Sequence, residues 1–440
     1  MLEHADAPEP LTDEPVVRLA RDLIRIDTSN YGQDRSAGET EAAELLAGRL
    51  RGIGAAPELI DAAPGRTSVV GRIAGADRSL PALVLHGHTD VVPAEAGAWS
   101  VDPFGGVVSD GMLWGRGAVD MKNVDAMIVT ALEEIVHSGA RPARDVIVAF
   151  FADEENGGVY GSHHLVTERP ELFDGAGEAV SEVGGYSITV GGRRAYLMQT
   201  GEKALLWLRL VAHGPAGHGS RVVHENAVVR LAEAIAAIGR QSWPLRLTGT
   251  TTALLEQLAE LLGVDPQQAG PDEIALATGS ASAFIQASLR TTANPTVLTA
   301  GYKSNVIPDR AEALVDVRTL PGEEDAVLAL IDELVGEHVD VEILHRDVGL
   351  ENPLAGPLVD AVDTVIAAHD PGARVLPYLL PAGTDNKALS RLGIAGYGFA
   401  PLRLPAELDF PSLFHGVDER VPLDALVFGR QVLRDLLLSY

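Results

Sequence analysis

The chain has 440 residues, 46% of them hydrophobic, which is enough for a sizeable core and more than one typical domain holds. Its formal net charge of −28 argues against nucleic acid and anionic membranes as partners, because both require a basic surface. The sequence contains no cysteine, which excludes disulfides, thiolate metal ligands and a cysteine nucleophile. Since we find neither a signal-peptide pattern nor a run of about 18 apolar residues, we expect a cytoplasmic protein without a membrane span.

Helical and strand-like patterns alternate in the first part of the chain. Apolar residues at helical spacing predict helices at 13–27, 38–52 and 123–138, and short apolar runs predict strands at 58–60, 68–73, 82–85 and 145–152. The run at 145–152 is almost continuously apolar, as in a strand that is buried on both faces. This order of elements predicts an α/β domain.

From about residue 200 the pattern changes. Strands are predicted at 204–212, 296–302, 313–317 and 341–344, helices at 226–238 and 324–335, and a partly helical insertion at 241–295. This order favours an antiparallel sheet covered by helices, of the split βαβ type. After Pro353 the α/β pattern returns, with a helix at 358–369, a strand near 374–376 and a helix at 423–438. We therefore predict that a domain of residues 200–351 is inserted into a first domain made of residues 1–199 and 352–440.

A histidine and an acid end the strand predicted at 82–85. His88 and Asp90, in the segment HGHTD, lie two residues apart and point to the same side if the segment is extended. A carboxylate in this position can orient an imidazole that binds a metal. Taken alone, the pattern is more often a polar surface turn than a pair of this kind.

Further acids follow other apolar segments. Glu154 and Glu155 belong to a run of acids after the strand at 145–152, where their mutual repulsion favours a nearby cation, although a solvated turn would also explain the run. Two histidines and three acids can hold two zinc ions if one carboxylate bridges them and a shared water completes the site. Glu154, beside a ligand, then has the right chemistry for a general base. The candidate ligands are His88, Asp120, Glu155, Glu182 and His415.

The motifs HGHTDVVP, GRGAVDMK, the adjacent Glu154 and Glu155, SEVGG, GPAGHGS and FHGVDE follow one another along the chain. With them the sequence resembles, over nearly its whole length, the dizinc hydrolases that include aminoacylase, acetylornithine deacetylase, succinyl-diaminopimelate desuccinylase and carboxypeptidase S. The resemblance implies a zinc-peptidase-like catalytic domain, in which helices flank a mixed sheet, and an inserted α+β, ferredoxin-like domain that serves as lid and dimerisation domain. It also implies two Zn²⁺ as cofactors, with Co²⁺ or Mn²⁺ as substitutes.

The resemblance assigns a role to each candidate residue of the metal site. Asp90 would orient His88, and Glu154 would take a proton from the shared water and deliver it to the leaving amine. The peptide bond between Asp120 and Met121 is expected to be cis. The implied ligand sets are His88 and Glu182 for one zinc ion, Glu155 and His415 for the other, and Asp120 for both.

Further residues are implied to contact the substrate. His218, in GPAGHGS, would stabilise the oxyanion, commonly across a dimer, whereas without the resemblance a glycine-flanked loop histidine is usually only exposed. Asn305 and Arg318 match substrate-contacting positions. Arg318 could bind a carboxylate with its planar fork, although a salt bridge within the sheet would explain it as well. Gly383 and Thr384 match a glycine-rich substrate loop.

The expected activity is hydrolysis of the amide bond of an N-acyl amino acid or short peptide next to a free carboxylate. A dipeptidase or aminopeptidase is one alternative, but it needs an acid for the free amine, and we identify none. A metal-free binding protein on the same fold is another, although it would have no use for Glu154. We expect a homodimer unless the insertion at 241–295, which resembles the aminoacylase and carboxypeptidase S branch, covers the sheet edge used for pairing.

Overall fold

The computed structural model describes residues 11–32 and 35–440. Residues 1–10, on which part of the signal-peptide expectation rests, lie outside them. In chain order the helices are α1 (Pro15–Ile24), α2 (Thr40–Gly52), α3 (Lys122–His137), α4 (Ser162–Glu168), α5 (Ala227–Arg240), α6 (Gly249–Leu262), α7 (Pro271–Leu276), α8 (Ser282–Ser288), α9 (Glu324–Val335), α10 (Pro357–His369), α11 (Asn386–Ser390) and α12 (Leu423–Ser439). No helix in this part of the chain is both long and apolar enough to span a bilayer, and the cytoplasmic location stays a prediction.

The strands belong to one large sheet and several smaller ones. In chain order they are β1 (Asn30–Gly32), β2 (Arg35–Ser36), β3 (Glu58–Ala63), β4 (Arg66–Ile73), β5 (Ala82–His88), β6 (Val107–Ser109), β7 (Met112–Trp114), β8 (Val146–Phe151), β9 (Ala176–Ser181), β10 (Ser187–Val190), β11 (Arg193–Glu202), β12 (Ala204–His213), β13 (Gly217–His218), β14 (Thr292–Ala300), β15 (Val306–Ile307), β16 (Arg310–Thr319), β17 (Val339–Arg346), β18 (Leu350–Glu351), β19 (Arg374–Leu380), β20 (Ala395–Gly398) and β21 (Arg420–Pro422).

A mixed ten-stranded sheet forms the centre of the larger domain. Its order is β10, β11, β20, β9, β5, β8, β4 and β3, and β18 and β19 also pair with β11. Alternate residues of β8 face different cores: Val148 and Phe150 pack with α1, α2, α3, α10 and α12, whereas Ile147 and Phe151 pack with α4 and α11. Each such apolar side chain contributes about 1.5–3 kcal/mol when fully buried. The predicted α/β domain with a mixed, helix-flanked sheet is therefore confirmed.

The second sheet is antiparallel and has four strands in the order β14, β16, β12 and β17. Even-numbered residues of β12, such as Leu206 and Leu208, pack against α5 and α9 in a core of their own. Odd-numbered residues, such as Leu205 and Trp207, therefore point to the opposite face of the sheet. In chain order, β12, α5, β14, β16, α9 and β17 give the predicted α+β unit. The domain boundaries at 199/200 and 351/352 stay predictions.

The insertion at 241–295 lies in an unexpected place. Its helices α6, α7 and α8 pack with the larger domain, where Leu254, Leu258 and Ile285 join the same core as β10, β11 and β19. They fall within the predicted range 200–351 but contribute nothing to the core of the four-stranded sheet. The outer edge of β14 is therefore left uncovered by the insertion, and Val297 and Leu298 are exposed there.

One local prediction was wrong. The insertion was predicted to extend to residue 295, but β14 already begins at Thr292. β14 is an edge strand, and its register with β16 shifts between Pro295 and Val297. Proline is tolerated at an edge strand or a bulge because its missing N–H need not donate to a neighbouring strand there. The proline thus made the sequence pattern less typical of a strand, although the segment pairs with β16.

Candidate active site

The candidate ligands meet at one edge of the ten-stranded sheet. Parallel strands β8, β5 and β9 are neighbours, so their carboxyl ends lie side by side, where α/β folds place ligands. His88 ends β5, Glu155 follows β8 and Glu182 follows β9. The loop before α3 adds Asp120, and the loop before β21 adds His415.

Asp120 lies at the centre of this cluster. Its Oδ1 is 3.0 Å from His88 Nε2, and its Oδ2 is 3.2 Å from His415 Nε2. The other oxygen contacts are from His88 Nε2 to Glu182 Oε1, at 3.5 Å, and from His415 Nε2 to Glu155 Oε2, at 3.2 Å. Asp120 therefore presents one oxygen to each of the two groups that the sequence predicts as separate ligand sets.

The electrostatics of the cluster fit a cationic occupant. Burial raises the pKa of Glu182 to about 8 and also raises the pKa of Glu155, and the charge of Asp120 adds to both shifts. Bound cations would offset the repulsion between these carboxylates. Imidazole nitrogen and carboxylate oxygen are donors that suit Zn²⁺ and related divalent ions. The residues present thus fit a site for two metal ions.

Glu154 lies beside the ligands. Its Oε2 is 3.9 Å from His88 Nε2. Donor atoms of His88, Glu154 and Glu182 all lie within 4.8 Å of one another, as do those of His88, Asp120 and Glu155. Distance alone would therefore allow Glu154 either to bind a metal or to act on a neighbouring water.

Asp90 supports both His88 and the acidic turn. With its proton on Nδ1, His88 donates to the backbone carbonyl oxygen of Asp90 at 2.9 Å, while the Asp90 carboxylate is more distant, at 3.5 Å. That carboxylate accepts hydrogen bonds from the backbone N–H groups of Glu154 (3.1 Å) and Glu155 (3.2 Å). Asp90 thus fixes the turn that carries these two glutamates as well as the imidazole.

The loop before α3 is fixed where the helix begins. The peptide bond between Asp120 and Met121 is cis, as the resemblance implies. Lys122, the next residue, is fully buried, and its ammonium donates to the carbonyl oxygens of Leu23 (3.0 Å) and Ile26 (2.8 Å). The start of α3 is therefore tied to α1 and the residues that follow it.

Glu419 is a supporting residue that we did not predict, although it lies in the motif FHGVDE. Its Oε1 accepts from the backbone N–H groups of Val119 (2.6 Å) and Asp120 (3.0 Å), and its Oε2 accepts from that of Gly117 (3.2 Å). The same carboxylate forms an ion pair with Arg116 at 2.7 Å. Glu419 therefore binds the loop of Asp120 to the loop that carries the second histidine.

A buried polar network behind Asp90 was also not predicted from the sequence. Asn30 Nδ2 donates to Asp90 Oδ2 (2.8 Å) and to Asp153 Oδ1 (3.0 Å). Arg66 donates to Asn30 Oδ1 (3.0 Å), lies 3.3 Å from Asp153 Oδ1 and pairs with Glu39 at 2.5 Å. All these side chains are buried. Asn30, Glu39 and Arg66 are separated along the chain, and no local motif marks them.

A cleft of about 520 Å³ lies over the ligands and between the two sheets. Arg318, Gly383 and Thr384 line it. The guanidinium of Arg318 forms two hydrogen bonds with Asp316, at 2.6 and 2.9 Å, so the salt bridge considered from the sequence is present while Arg318 still faces the cleft. Thr384 donates through its backbone N–H (2.9 Å) and its hydroxyl (2.6 Å) to the buried Glu202.

His218 and Asn305 lie together but outside this cleft. His218 is exposed in the small sheet of β13 and β15, and its Nδ1 is 2.8 Å from Ser220 Oγ. The backbone carbonyl oxygen of Asn305 accepts from the N–H of Gly219 at 2.9 Å. Neither residue is among those that line the cleft of their own chain.

Fold and site define a hydrolytic enzyme, and the chain belongs to the peptidase family M20/M25/M40, whose family model matches residues 84–439. It is 28% identical to Aminoacylase-1 of Mus musculus, with 98% of this chain and 96% of that protein covered. It is similar in fold to the M20 family metallo-carboxypeptidase Sso-CP2 from Sulfolobus solfataricus, with a TM-score of 0.75, 17% identity and 96% and 98% of the two chains covered. For a dinuclear metal-binding peptidase of the M20 family from Bacillus subtilis, the TM-score is 0.60 at 15% identity, with 98% of both chains covered.

Proposed function

We propose that this enzyme hydrolyses the amide bond of an N-acyl amino acid or a short peptide next to a free carboxylate, with two Zn²⁺ as cofactors. The observation that carries the proposal is the pair of ligand groups joined by Asp120, with Glu154 beside them in the cleft. The cleft volume of about 520 Å³ lies in the range of small-molecule sites. The similarity to Aminoacylase-1 supports an N-acyl amino acid as substrate.

The contacts between the candidate ligands support two proposed ligand sets. When bound, two such ions supply positive charge that lowers the pKa of a water and stabilises negative charge on the carbonyl oxygen under attack. Zn²⁺ fits the donors, and Co²⁺ or Mn²⁺ would be accepted by the same set. The ligands we propose are His88 and Glu182 for one ion, Glu155 and His415 for the other, and Asp120 for both.

Glu154 is proposed as the general base. Its carboxylate lines the cleft next to the ligands, while its backbone is fixed through Asp90. It would accept a proton from the attacking water and then give it to the nitrogen that leaves. Asp90 is a positioning residue, because it holds His88 and this turn and does not touch the reacting atoms.

Arg318 is proposed to bind the free carboxylate of the substrate. Its pair with Asp316 uses Nε and Nη2, and Nη1 takes no part in that pair. Trp207 Nε1 also donates to Asp316, at 3.3 Å, so the acid that orients Arg318 is itself held in place. Gly383 and Thr384 would form the opposite rim of this subsite.

We further propose a homodimer in which His218 and Asn305 act in the site of the partner subunit. These residues lie outside their own cleft, and the edge of β14 is free to pair with a second copy because the insertion packs elsewhere. Val297 and Leu298 are exposed on this edge, and pairing with a second copy would cover them.

Metal analysis together with a hydrolysis panel tests the proposal. The purified protein should contain two metal ions per chain and should hydrolyse N-acetyl amino acids faster than the corresponding amides, which lack the carboxylate. Hydrolysis of dipeptides alone would favour the dipeptidase alternative. A protein that binds no metal and hydrolyses neither class would be a binding protein on this fold.

A further inference from the structure

One wall of the cleft is apolar and is built from separate parts of the chain. We call Leu205, Trp207, Phe284 and Leu380 the apolar wall. Leu205 and Trp207 come from β12 of the four-stranded sheet, Leu380 ends β19 of the large sheet, and Phe284 lies on α8 of the insertion. The backbone N–H of Lys203 donates to the carbonyl oxygen of Leu380 at 2.9 Å, which joins the start of β12 to the end of β19.

The wall lies directly beside the proposed carboxylate subsite. In the antiparallel pair of β12 and β16, Leu205 is opposite Arg318, and Trp207 is opposite Asp316. Directly opposed residues have Cβ atoms about 4.5–5.5 Å apart. A carboxylate bound by Arg318 therefore has apolar side chains next to it, and the group on the adjacent carbon of the substrate is the one that meets them.

The helix that carries Phe284 is held in place by hydrogen bonds near its end. Ser288 Oγ, one turn further along α8, donates to the carbonyl oxygen of Leu379 at 2.6 Å. The buried ammonium of Lys203 donates to the carbonyl oxygens of Ala287 (3.1 Å) and Arg290 (2.8 Å) at the end of the same helix. These hydrogen bonds direct the ammonium of Lys203 into the protein and away from the apolar wall.

We propose that the enzyme prefers substrates whose amino-acid part carries a large apolar side chain, and that the insertion sets this preference through Phe284. The inference rests on the proposed function, because binding of the carboxylate at Arg318 determines which substituent faces the wall. The carbonyl carbon under attack belongs to the acyl group, so in this binding mode the acyl group is on the side of the metal ligands. Phe284 is a specificity-determining residue and has no part in the bond-breaking step.

Two substrate series separate the side-chain from the acyl subsite. The first series is N-acetylalanine, N-acetylleucine and N-acetylphenylalanine, and the second is N-acetyl-, N-butyryl- and N-hexanoylalanine. Wild-type kcat/KM should rise along the first series, and Phe284→Ala should reduce the ratio of leucine to alanine substrate by about tenfold, since apolar pockets discriminate at this level. Phe284→Leu should keep most of the preference. Leu276→Ala, on the exposed surface of α7 in the same insertion, is the matched control and should change nothing.

Binding gives a readout that does not depend on turnover. In the Glu154→Gln protein, calorimetry should give tighter binding of N-acetylphenylalanine than of N-acetylalanine, and Phe284→Ala should remove most of the difference. If this holds while the wild type hydrolyses neither substrate, the apolar subsite stands and the proposed function fails. The inference is overturned, and the proposed function stands, if the wild type hydrolyses both series but Phe284→Ala changes neither the ratio of leucine to alanine substrate nor the difference in binding. The same holds if Phe284→Ala changes only the acyl series. Melting temperatures confirm that each variant is folded.

Discussion

The two sides of the cleft hold their functional side chains in different ways. On the larger domain, His88, Glu155 and Glu182 stand at the ends of buried strands, and the carboxylate of Asp90 is held by hydrogen bonds from distant parts of the chain. On the other domain, Arg318 pairs with an acid two residues away in its own strand, and the imidazole of His218 lies 2.8 Å from Ser220 Oγ, also two residues away. The metal side is thus held by contacts between distant parts of the chain, whereas these side chains are held by contacts within short segments.

This difference predicts how each side responds to change. Removing a group from the metal side leaves buried charges without partners, which is costly because water cannot replace the lost contacts. Removing a group from the exposed side leaves a surface that water can solvate. We therefore expect large losses of stability on the metal side, whereas changes on the other side should leave the fold nearly as stable and alter substrate binding or what a partner contributes.

Removing the metal ions should have the largest effect. Dialysis against EDTA should abolish hydrolysis and lower the melting temperature, because the ligand cluster then keeps its carboxylates without cations. Stoichiometric zinc should restore the wild type but not His88→Ala. Acid should release the ions in the same way, since protons compete for the imidazole and carboxylate ligands. Full activity in protein shown to be metal-free would refute the metal centre.

Glu154→Gln should have the next largest effect. The amide keeps the size of the side chain but cannot take up a proton, so kcat should fall by about 10²–10⁴-fold while metal content and fold are unchanged. Steady-state kinetics and elemental analysis measure the two quantities on the same sample. Glu168→Gln, an exposed glutamate on α4, is the control and should match the wild type. Loss of a metal ion in Glu154→Gln would instead make Glu154 a ligand.

Arg66→Met tests the buried network behind Asp90. The change leaves Glu39 and Asp153 buried without their cation, and removing one partner of a buried ion pair costs about 3–5 kcal/mol of unfolding free energy. Urea unfolding of metal-free protein measures the loss. Arg169→Met, which removes a surface arginine paired with Glu58, should leave the unfolding free energy nearly unchanged. Similar losses in both variants would contradict the contrast between the two environments.

Much of the metal side could be predicted because several of the candidate ligands follow a local signal. An apolar run indicates a buried strand, and a histidine or acid directly after it lies at the edge where parallel strands end. His88 and Glu155 satisfy this rule. Asp120 and His415 do not end strands of the large sheet, and only the motifs around them pointed to the site.

The remaining features depend on contacts that no stretch of sequence contains. Asn30 and Arg66 contact Asp153, and Arg66 pairs with Glu39, across distant parts of the chain, so none of these three residues has a recognisable partner nearby in the sequence. The apolar stripe of α6 predicts a helix but does not say which sheet it covers, and it packs on the larger domain. The apolar wall is likewise assembled from three separate segments.

The position of His218 raises the last question, because a residue outside its own cleft can act only in another chain or after a large movement of its domain. Mixing Glu154→Gln with His218→Ala distinguishes these cases. Each variant should be nearly inactive alone, but a hybrid dimer would hold one site with both groups intact, so equal amounts under full subunit exchange should regain about a quarter of wild-type activity. Native mass spectrometry measures the exchange. If hybrids form and activity stays at the level of the separate variants, His218 works within its own chain or not at all, and the exposed side of the cleft is complete without a partner.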